Sequence, residues 1–239
     1  MIIINILKLN TMKRMFLMAA MSVVVLAASA QARFEPGTIT IQPRLGVTAA
    51  EMTHTPKLEI PDMPGSIDSE PTAGFFIGVD AEYYLTERIG LTAGLNFAQA
   101  GSGWKDTDYL INGTKISLTD MKIQTTYLNV PVMFNYYVLK GFALKAGVQM
   151  SFLTNAKAKY KLSSPVGAGS YNEDGNKSVK DACKKFDLAI PVGLSYEFKT
   201  PIVLDLRYDI GLMKVIKDSD KSNCNRVCEL TVGYKFALK

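Results

Sequence analysis

The fold is decided by residues 126–153, TYLNVPVMFNYYVLKGFALKAGVQMSFL. Large apolar residues alternate with small or polar ones on both sides of a turn at 138–141. A period of two is the pattern of a β-strand whose two faces differ. Two such runs joined by a short turn predict an antiparallel hairpin.

The polar face of this hairpin differs from a solvated surface. After the turn it carries Ala143, Lys145, Gly147, Gln149 and Ser151, rather than a dense mixture of Lys, Glu and Thr. Small polar residues fit a narrow interior, and large apolar residues on the opposite face fit lipid. We therefore expect strands that cross a bilayer around a polar lumen. The alternative is a soluble, lipocalin-like periplasmic binder, which would be apolar inside and wet outside.

The first part of the chain predicts export. Residues 1–32 have the features of a signal peptide and leave 33–239 as the mature domain. A basic start that begins at Met12 is followed by an apolar segment and a small-residue cleavage motif ending at Ala30 or Ala32. We expect translation from Met12 and export by the Sec pathway. No later run reaches the roughly 18 apolar residues of a spanning helix, so the exported chain is expected to be a soluble domain or a barrel.

The same alternation recurs along the mature chain. It predicts strands at 38–48, 74–85, 89–98, 126–137, 142–152, 186–198, 203–212 and 229–238. The connections between them alternate long and short. We predict an all-β fold, an eight-stranded antiparallel up-and-down transmembrane β-barrel with long extracellular loops and short periplasmic turns.

Four long polar loops and two aromatic girdles accompany these strands. The loops are expected at 51–73, 100–122, 155–184 and 214–226, with a hairpin turn at Asn112-Gly113 inside the second. Sorting of aromatic residues by height is expected of a membrane barrel. The periplasmic group is Tyr83, Tyr136, Phe142, Tyr196, Phe198 and Phe236, and the outer group is Phe75, Phe97, Phe152 and Phe186.

Charged residues on the inward parity must pair or be neutralised. They are Arg44, Asp80, Glu82, Lys145, Asp187, Glu197, Asp205, Arg207, Asp209, Glu229 and Lys235. We expect ion pairs between Arg44 and Asp80 and between Asp205 and Lys235. Because eight strands leave a lumen just filled by side chains, a hydrogen-bonded plug is favoured over the alternative of an ion or proton path.

Two prolines fall inside predicted strands. Pro131 and Pro191 lack the N–H group that a closed barrel uses in its ladders. We expect a bulge or a water-satisfied gap at each of them.

The outer loops hold the remaining candidates. His54 lies in the first loop and Ser102 in the second, and a lipid A modifying outer-membrane enzyme that uses a loop histidine is the alternative to a non-catalytic barrel. Lys157, Lys159 and Lys161 continue the inward parity above the fifth strand. They predict either contact with lipopolysaccharide phosphates or a solvated basic loop.

Cysteine and charge narrow the function further. Cys183, Cys224 and Cys228 lie toward the outer side, where an oxidising compartment permits one disulfide among them and leaves one thiol over. No histidine or second cysteine pair completes a metal motif, so neither a metal nor another cofactor is predicted. The formal charge of +5 includes the basic start of the signal, and nucleic acid binding is not predicted.

Three segments carry a resemblance to a known family. They are YLNVP at 127–131, LAIPVGLSYEF at 188–198 and LDLRY at 204–208. They resemble the Bacteroidetes outer-membrane β-barrel family that includes PorT, a small barrel associated with type IX secretion. Members usually carry an acidic residue where this chain has Asn129.

The resemblance implies a barrel similar to OmpA and OmpX, in the outer membrane of a Gram-negative bacterium, without shared catalytic residues. It implies a structural or surface-interaction role that includes support of a secretion complex. The expected partners are outer-membrane lipid, lipopolysaccharide and envelope or secretion proteins.

Overall fold

A computed structural model describes residues 34–54, 67–111, 114–166, 169–217 and 223–238. The predicted signal peptide lies outside the described residues. In the described part of the chain, no helix has the length and apolar character needed to span a membrane.

The described chain forms one antiparallel sheet. Its strands are β1 (Ile39–Met52), β2 (Ser69–Glu70), β3 (Thr72–Tyr84), β4 (Ile89–Trp104), β5 (Thr107–Ile111), β6 (Thr114–Leu139), β7 (Phe142–Val166), β8 (Gly169–Ser178), β9 (Phe186–Glu197), β10 (Ile202–Gly211), β11 (Asn225–Tyr234) and β12 (Phe236–Leu238). A short 3-10 turn, Lys180–Ala182, precedes β9.

Eight of these strands close into a ring. Neighbours pair in the order β1, β3, β4, β6, β7, β9, β10 and β11. The ring closes because β11 pairs back with β1, from Arg44–Gly233 to Met52–Asn225. The other strands extend this ring, since β2, β5 and β8 add to β4, β6 and β7, and β12 continues beside β1. The predicted eight-stranded barrel is confirmed.

The two faces of the barrel carry opposite kinds of residue. Outward side chains such as Leu45 and Val47 are 67% and 59% exposed, whereas the inward Arg207 and Glu229 are 1% and 2% exposed. Large apolar groups therefore face the lipid, and ionisable groups face the axis. A lipocalin-like barrel would show the reverse arrangement, so that alternative is wrong.

Aromatic side chains pack at both ends of this apolar band. At the outer end, the ring centroids of Phe152 and Phe186 are 5.5 Å apart. At the periplasmic end, Tyr196 meets Phe198 edge-on at 4.8 Å, and further round the ring Tyr234 packs beside Phe236 at 4.6 Å. The first two contacts join members of the two predicted girdles, and Tyr234 adds a ring that the prediction did not include.

The loop predicted at 155–184 is wrong over most of its length. β7 continues to Val166 and pairs with β8 from Lys157–Ser178 to Val166–Gly169. Outside the membrane a strand needs no run of large apolar residues, so the pattern that located the other strands is missing here. The hairpin predicted inside the second loop is formed by β5 and β6, through pairing of Ile111 with Thr114, although its two turn residues lie outside the described chain.

Both in-strand prolines interrupt a ladder on one side. Pairing of β6 with β4 skips 130–131, and pairing of β9 with β7 skips 190–191, without a change of register. The missing N–H of Pro131 and Pro191 is therefore accommodated by a gap, and no bulge forms at these described positions.

Candidate functional site

Five charged side chains meet in the middle of the barrel, and we call them the central network: Arg44, Asp80, Lys145, Asp205 and Arg207. Arg207 lies 2.6 Å from Asp80 Oδ2 through Nη2 and 2.7 Å from Asp205 Oδ1 through Nε. Lys145 Nζ lies 2.6 Å from Asp205 Oδ2. Arg44 lies 3.2 Å from both acids, so the expected Arg44–Asp80 pair is present. The network ties together β1, β3, β7 and β10.

Inward glycines make room for these long side chains. A Cβ atom at Gly193 would lie 3.1 Å from Arg207 Cγ, and one at Gly94 would collide with the carboxylate of Asp80. Each member of the central network is at most 5% exposed. Buried charges are tolerated only when partners surround them, and the small neighbours allow that packing.

A second cluster, the periplasmic network, lies below the first and consists of Glu82, Tyr84, Tyr137, Glu197 and Lys235. Lys235 Nζ lies 2.9 Å from Glu82 Oε2 and 3.2 Å from Glu197 Oε2, and it donates to Tyr84 Oη at 2.9 Å. Tyr137 donates to Glu82 Oε1 at 2.7 Å. One lysine therefore serves two carboxylates, with tyrosine hydroxyls as additional donors.

The expected pair between Asp205 and Lys235 is wrong. Across β10 and β11, Asp205 lies opposite Thr231, which is four residues, or about 13 Å of strand, from Lys235. The strand stagger of the closed ring carries Lys235 to β3 and β9 instead. Alternation alone gave the facing direction of both residues but not this stagger.

The periplasmic mouth is narrowed by aromatic rings. Phe34 lies 6.0 Å from Lys235 Nζ and 5.4 Å from the ring of Tyr84. A cavity of about 260 Å³ opens here beside Tyr137 and Glu197. Lys235 nevertheless remains 4% exposed, so the charged interior is covered at this end.

Three acids form the upper layer of the interior, on the outer side of the central network: Asp187, Asp209 and Glu229. Asp187 accepts hydrogen bonds from Met213 N and Asn225 Nδ2, both at 3.2 Å. Asp209 accepts one from Gln149 Nε2 at 2.9 Å. Within the described ranges, no Lys or Arg makes an ion pair with any of the three.

An apolar cap covers this upper layer. Its members are Ala50, Met52, Ala100, Tyr127, Leu153, Ala156, Cys183, Val215 and Val227. Two segments beyond the strands supply part of it, because Lys184 N donates to Val215 O at 2.7 Å and Lys217 N donates to Ala182 O at 3.0 Å. The sequence analysis missed the cap, whose only signal was an apolar Val215-Ile216 pair inside a polar loop.

The two residues considered for a lipid A modifying enzyme are poorly placed to act on lipid A. His54 lies just beyond β1 and is exposed, whereas Ser102 lies within β4 and has no exposed surface. A buried hydroxyl cannot reach an acyl chain in the outer leaflet, so this geometry does not support the lipid A enzyme.

The three lysines in the outer part of β7 face the opposite way from the prediction. Tyr127 pairs with Leu153 and Thr126 with Asn155, so Thr154 is an extra residue in β7. One extra residue reverses the parity of everything that follows. Ala156 takes the buried position, and the parity of Lys157, Lys159 and Lys161 becomes the outward one.

No disulfide joins any two of the three cysteines in this structure. Cys183 lies in the apolar cap, Cys224 is buried just before β11, and Cys228 lies on the outward side of β11. Burial raises the pKa of the Cys183 thiol. The disulfide among these residues stays a prediction.

Comparisons with known proteins place the chain in a family. The model of the outer membrane protein beta-barrel domain family matches residues 29–217. No curated protein sequence matches the chain.

Several solved barrels show weak similarity. The attachment invasion locus protein Ail of Yersinia pestis is 17% identical over 84% of this chain and 100% of that chain, with a TM-score of 0.42. Neisserial surface protein A is 12% identical over 82% and 95%, with a TM-score of 0.39. Outer membrane protein W of E. coli is 13% identical over 84% and 99%, with a TM-score of 0.34. Because the family model covers most of the sequence, the chain belongs to the outer membrane protein beta-barrel domain family, whose barrels lie in the Gram-negative outer membrane.

Proposed function

We propose that this protein is a non-catalytic surface barrel whose work is done by the sheet that rises above the bilayer. The observation that carries the proposal is the length of β6 and β7. β7 runs from Phe142 to Val166, whereas about 9–11 residues suffice to cross the membrane. The part beyond Phe152 corresponds to about 45 Å of strand. A filled and capped interior, in contrast, does not serve solute passage.

The protruding sheet is suited to contact with other molecules. It contains β5, β6, β7 and β8, with β5 and β8 as its edges. A cluster of Ile67, Leu118 and Met121 packs with Trp104 and Leu162 at its base, which makes it a rigid element. Edge strands present N–H and C=O groups that pair with an extended segment of a partner.

We propose that the phosphate groups of lipopolysaccharide bind to the outward face of the same sheet. Lys122 and Lys159 are directly opposite each other on β6 and β7. Lys157 and Lys161 share that parity on β7. Asp120 lies 2.6 Å from Lys122 and 3.6 Å from Lys161, and the hydrogen bond from Lys122 lowers its pKa. A row of lysines above the outer aromatic girdle matches the height of anionic headgroups.

The lysine assignment is tested with a charge-removing variant and a charge-keeping control. Replacing Lys122, Lys157, Lys159 and Lys161 by Gln is expected to weaken binding to phosphorylated lipopolysaccharide at least about tenfold. The fourfold Arg variant keeps the charge and should bind as the natural chain does. Equal binding by the Gln variant, measured on immobilised lipopolysaccharide, would contradict the assignment.

The surface role is tested by shortening the sheet. Joining Asn155 to Val179 through a Gly-Ser turn removes β8 and the upper part of β7. We expect the barrel to fold, as shown by heat-modifiable gel migration, while adhesion of cells that display it falls to the level of cells without it. Unchanged adhesion, or a large steady conductance of the natural chain in a planar bilayer, would overturn the proposal.

Two narrower proposals come from the sequence. Support of a secretion complex follows from the PorT-like segments, and crosslinked co-purification of secretion proteins from native outer membranes tests it. Removal of residues 1–32 as a Sec signal, with translation from Met12, follows from the signal pattern. The mass of the precursor and of the exported chain tests the start and the cleavage.

A further inference from the structure

The upper acid layer borders a small cavity in the barrel. A cavity of about 20 Å³ is lined by Asn129, Asp209, Asn225 and Glu229, among other residues. This volume is on the order of that occupied by one water molecule. The apolar cap lies above the cavity, and the central network lies below it.

Four buried oxygen atoms in this lining have no hydrogen-bond donor among the described residues. They are Asn129 Oδ1, Asp209 Oδ1, Asn225 Oδ1 and Glu229 Oε1. The amide nitrogens of the two asparagines are already engaged, because Asn129 donates to Asn96 at 2.9 Å and Asn225 donates to Asp187 at 3.2 Å. The lining therefore presents acceptors and lacks a matching set of donors.

The charges around the cavity also favour the binding of a positively charged group. The central network contains three bases and two acids, and its one surplus positive charge balances the periplasmic network, where Lys235 is shared by Glu82 and Glu197. The carboxyl groups of Asp209 and Glu229 are within hydrogen-bonding reach of each other, and two carboxylates in contact repel unless a positive charge lies between them. A small cation or a shared proton between the two groups would relieve this repulsion.

We propose that one small monovalent cation, such as Na⁺, binds in this cavity between Asp209 and Glu229. Oxygen-only ligands favour hard cations of this class. The cavity offers two carboxylates and two amide oxygens as ligands for a singly charged ion. Within the described ranges, no three Asp, Glu, His or Cys side chains come together as a metal-ligand group. The ion fixes the upper ends of β6, β10 and β11 beneath the cap.

The test compares cations of different size at equal ionic strength. The midpoint of thermal unfolding of the full barrel in lipid vesicles is measured in NaCl and in CsCl, whose cation is too large for the cavity. We expect a saturable increase of about 2–4 °C in NaCl. Equal midpoints in the two salts would overturn the proposal.

Two variants then test whether the difference between the salts arises at this cavity. Joint replacement of Asp209→Asn and Glu229→Gln keeps the shapes and should abolish the difference between the salts, whereas Glu197→Gln in the periplasmic network should keep it. If the double variant does not fold, saturable line broadening of ²³Na resonances by the natural protein, which persists when Cs⁺ is in excess, supplies the readout. A midpoint that depends on pH and not on the cation would show that a shared proton fills the role, and the proposal would be wrong.

Discussion

The lower and upper halves of the barrel interior accommodate their buried acids in different ways. In the lower half, Asp80, Glu82, Glu197 and Asp205 are matched by Arg44, Lys145, Arg207 and Lys235, all in ion pairs. In the upper half, three acids have no such partner among the described residues, and an apolar cap covers them. The lower half is complete by itself, whereas the upper half depends on amide donors and on a counter-charge.

The largest expected effect comes from removing the shared cation of the lower half. Arg207→Met removes the 2.6 Å contact to Asp80 and the 2.7 Å contact to Asp205. We expect a loss of about 3–5 kcal/mol in the free energy of unfolding, as for other buried pairs broken on one side. Urea unfolding in lipid vesicles measures it. A loss under 1 kcal/mol would mean that the central network is not a stabilising unit.

A matched pair of substitutions compares the two halves directly. Glu82→Gln removes a carboxylate that Lys235 and Tyr137 contact, and we expect it to cost about 1.5–3 kcal/mol. Glu229→Gln makes the same chemical change in the upper half, where it relieves repulsion from Asp209. In CsCl, where the proposed cation site is empty, we expect it to leave the free energy of unfolding unchanged or to raise it. Equal losses in both variants would remove the distinction between the halves.

A substitution that disturbs the packing around the central network is expected to have a smaller effect on the free energy of unfolding. Gly193→Ala adds a Cβ atom 2.5 Å from Leu206 O and 3.1 Å from Arg207 Cγ, so the β10 backbone that carries Arg207 must shift. We expect a loss of about 1–3 kcal/mol. Gly103→Ala is the control, because its nearest contact would be Met121 O at 3.3 Å. A larger loss in the control than in Gly193→Ala would contradict this account.

The apolar cap is expected to affect the reactivity of the Cys183 thiol and not the stability of the barrel. Because alkylation requires the thiolate and burial raises the pKa of Cys183, labelling of this thiol by a maleimide should be slow at neutral pH. Its rate should keep rising above about pH 8.5, where an ordinary thiol levels off. In a variant with both Cys224 and Cys228 replaced by Ser, all labelling comes from Cys183. Fast labelling at pH 7 would show that the cap is open.

The sequence predicted the barrel well because the bilayer imposes a simple rule. Leu144, Val148 and Phe152 face lipid, and Lys145, Gln149 and Ser151 face the axis, so parity alone assigns each side chain. The same rule failed above Thr154, where lipid no longer selects large residues and one extra residue reversed the parity of Lys157. It also gave no partner for Lys235, because partners depend on the stagger between strands.

Alternation along the chain therefore determined the class of fold, the number of membrane strands and the identity of the buried charges, since each follows from a period of two and from the solvent on either side. Only the closed ring decided which charges meet, because its register brings residues from distant strands to one height. The tertiary structure also decided that Val215 and Cys183 cover the interior. Contacts between separate loops leave no periodic trace in a sequence.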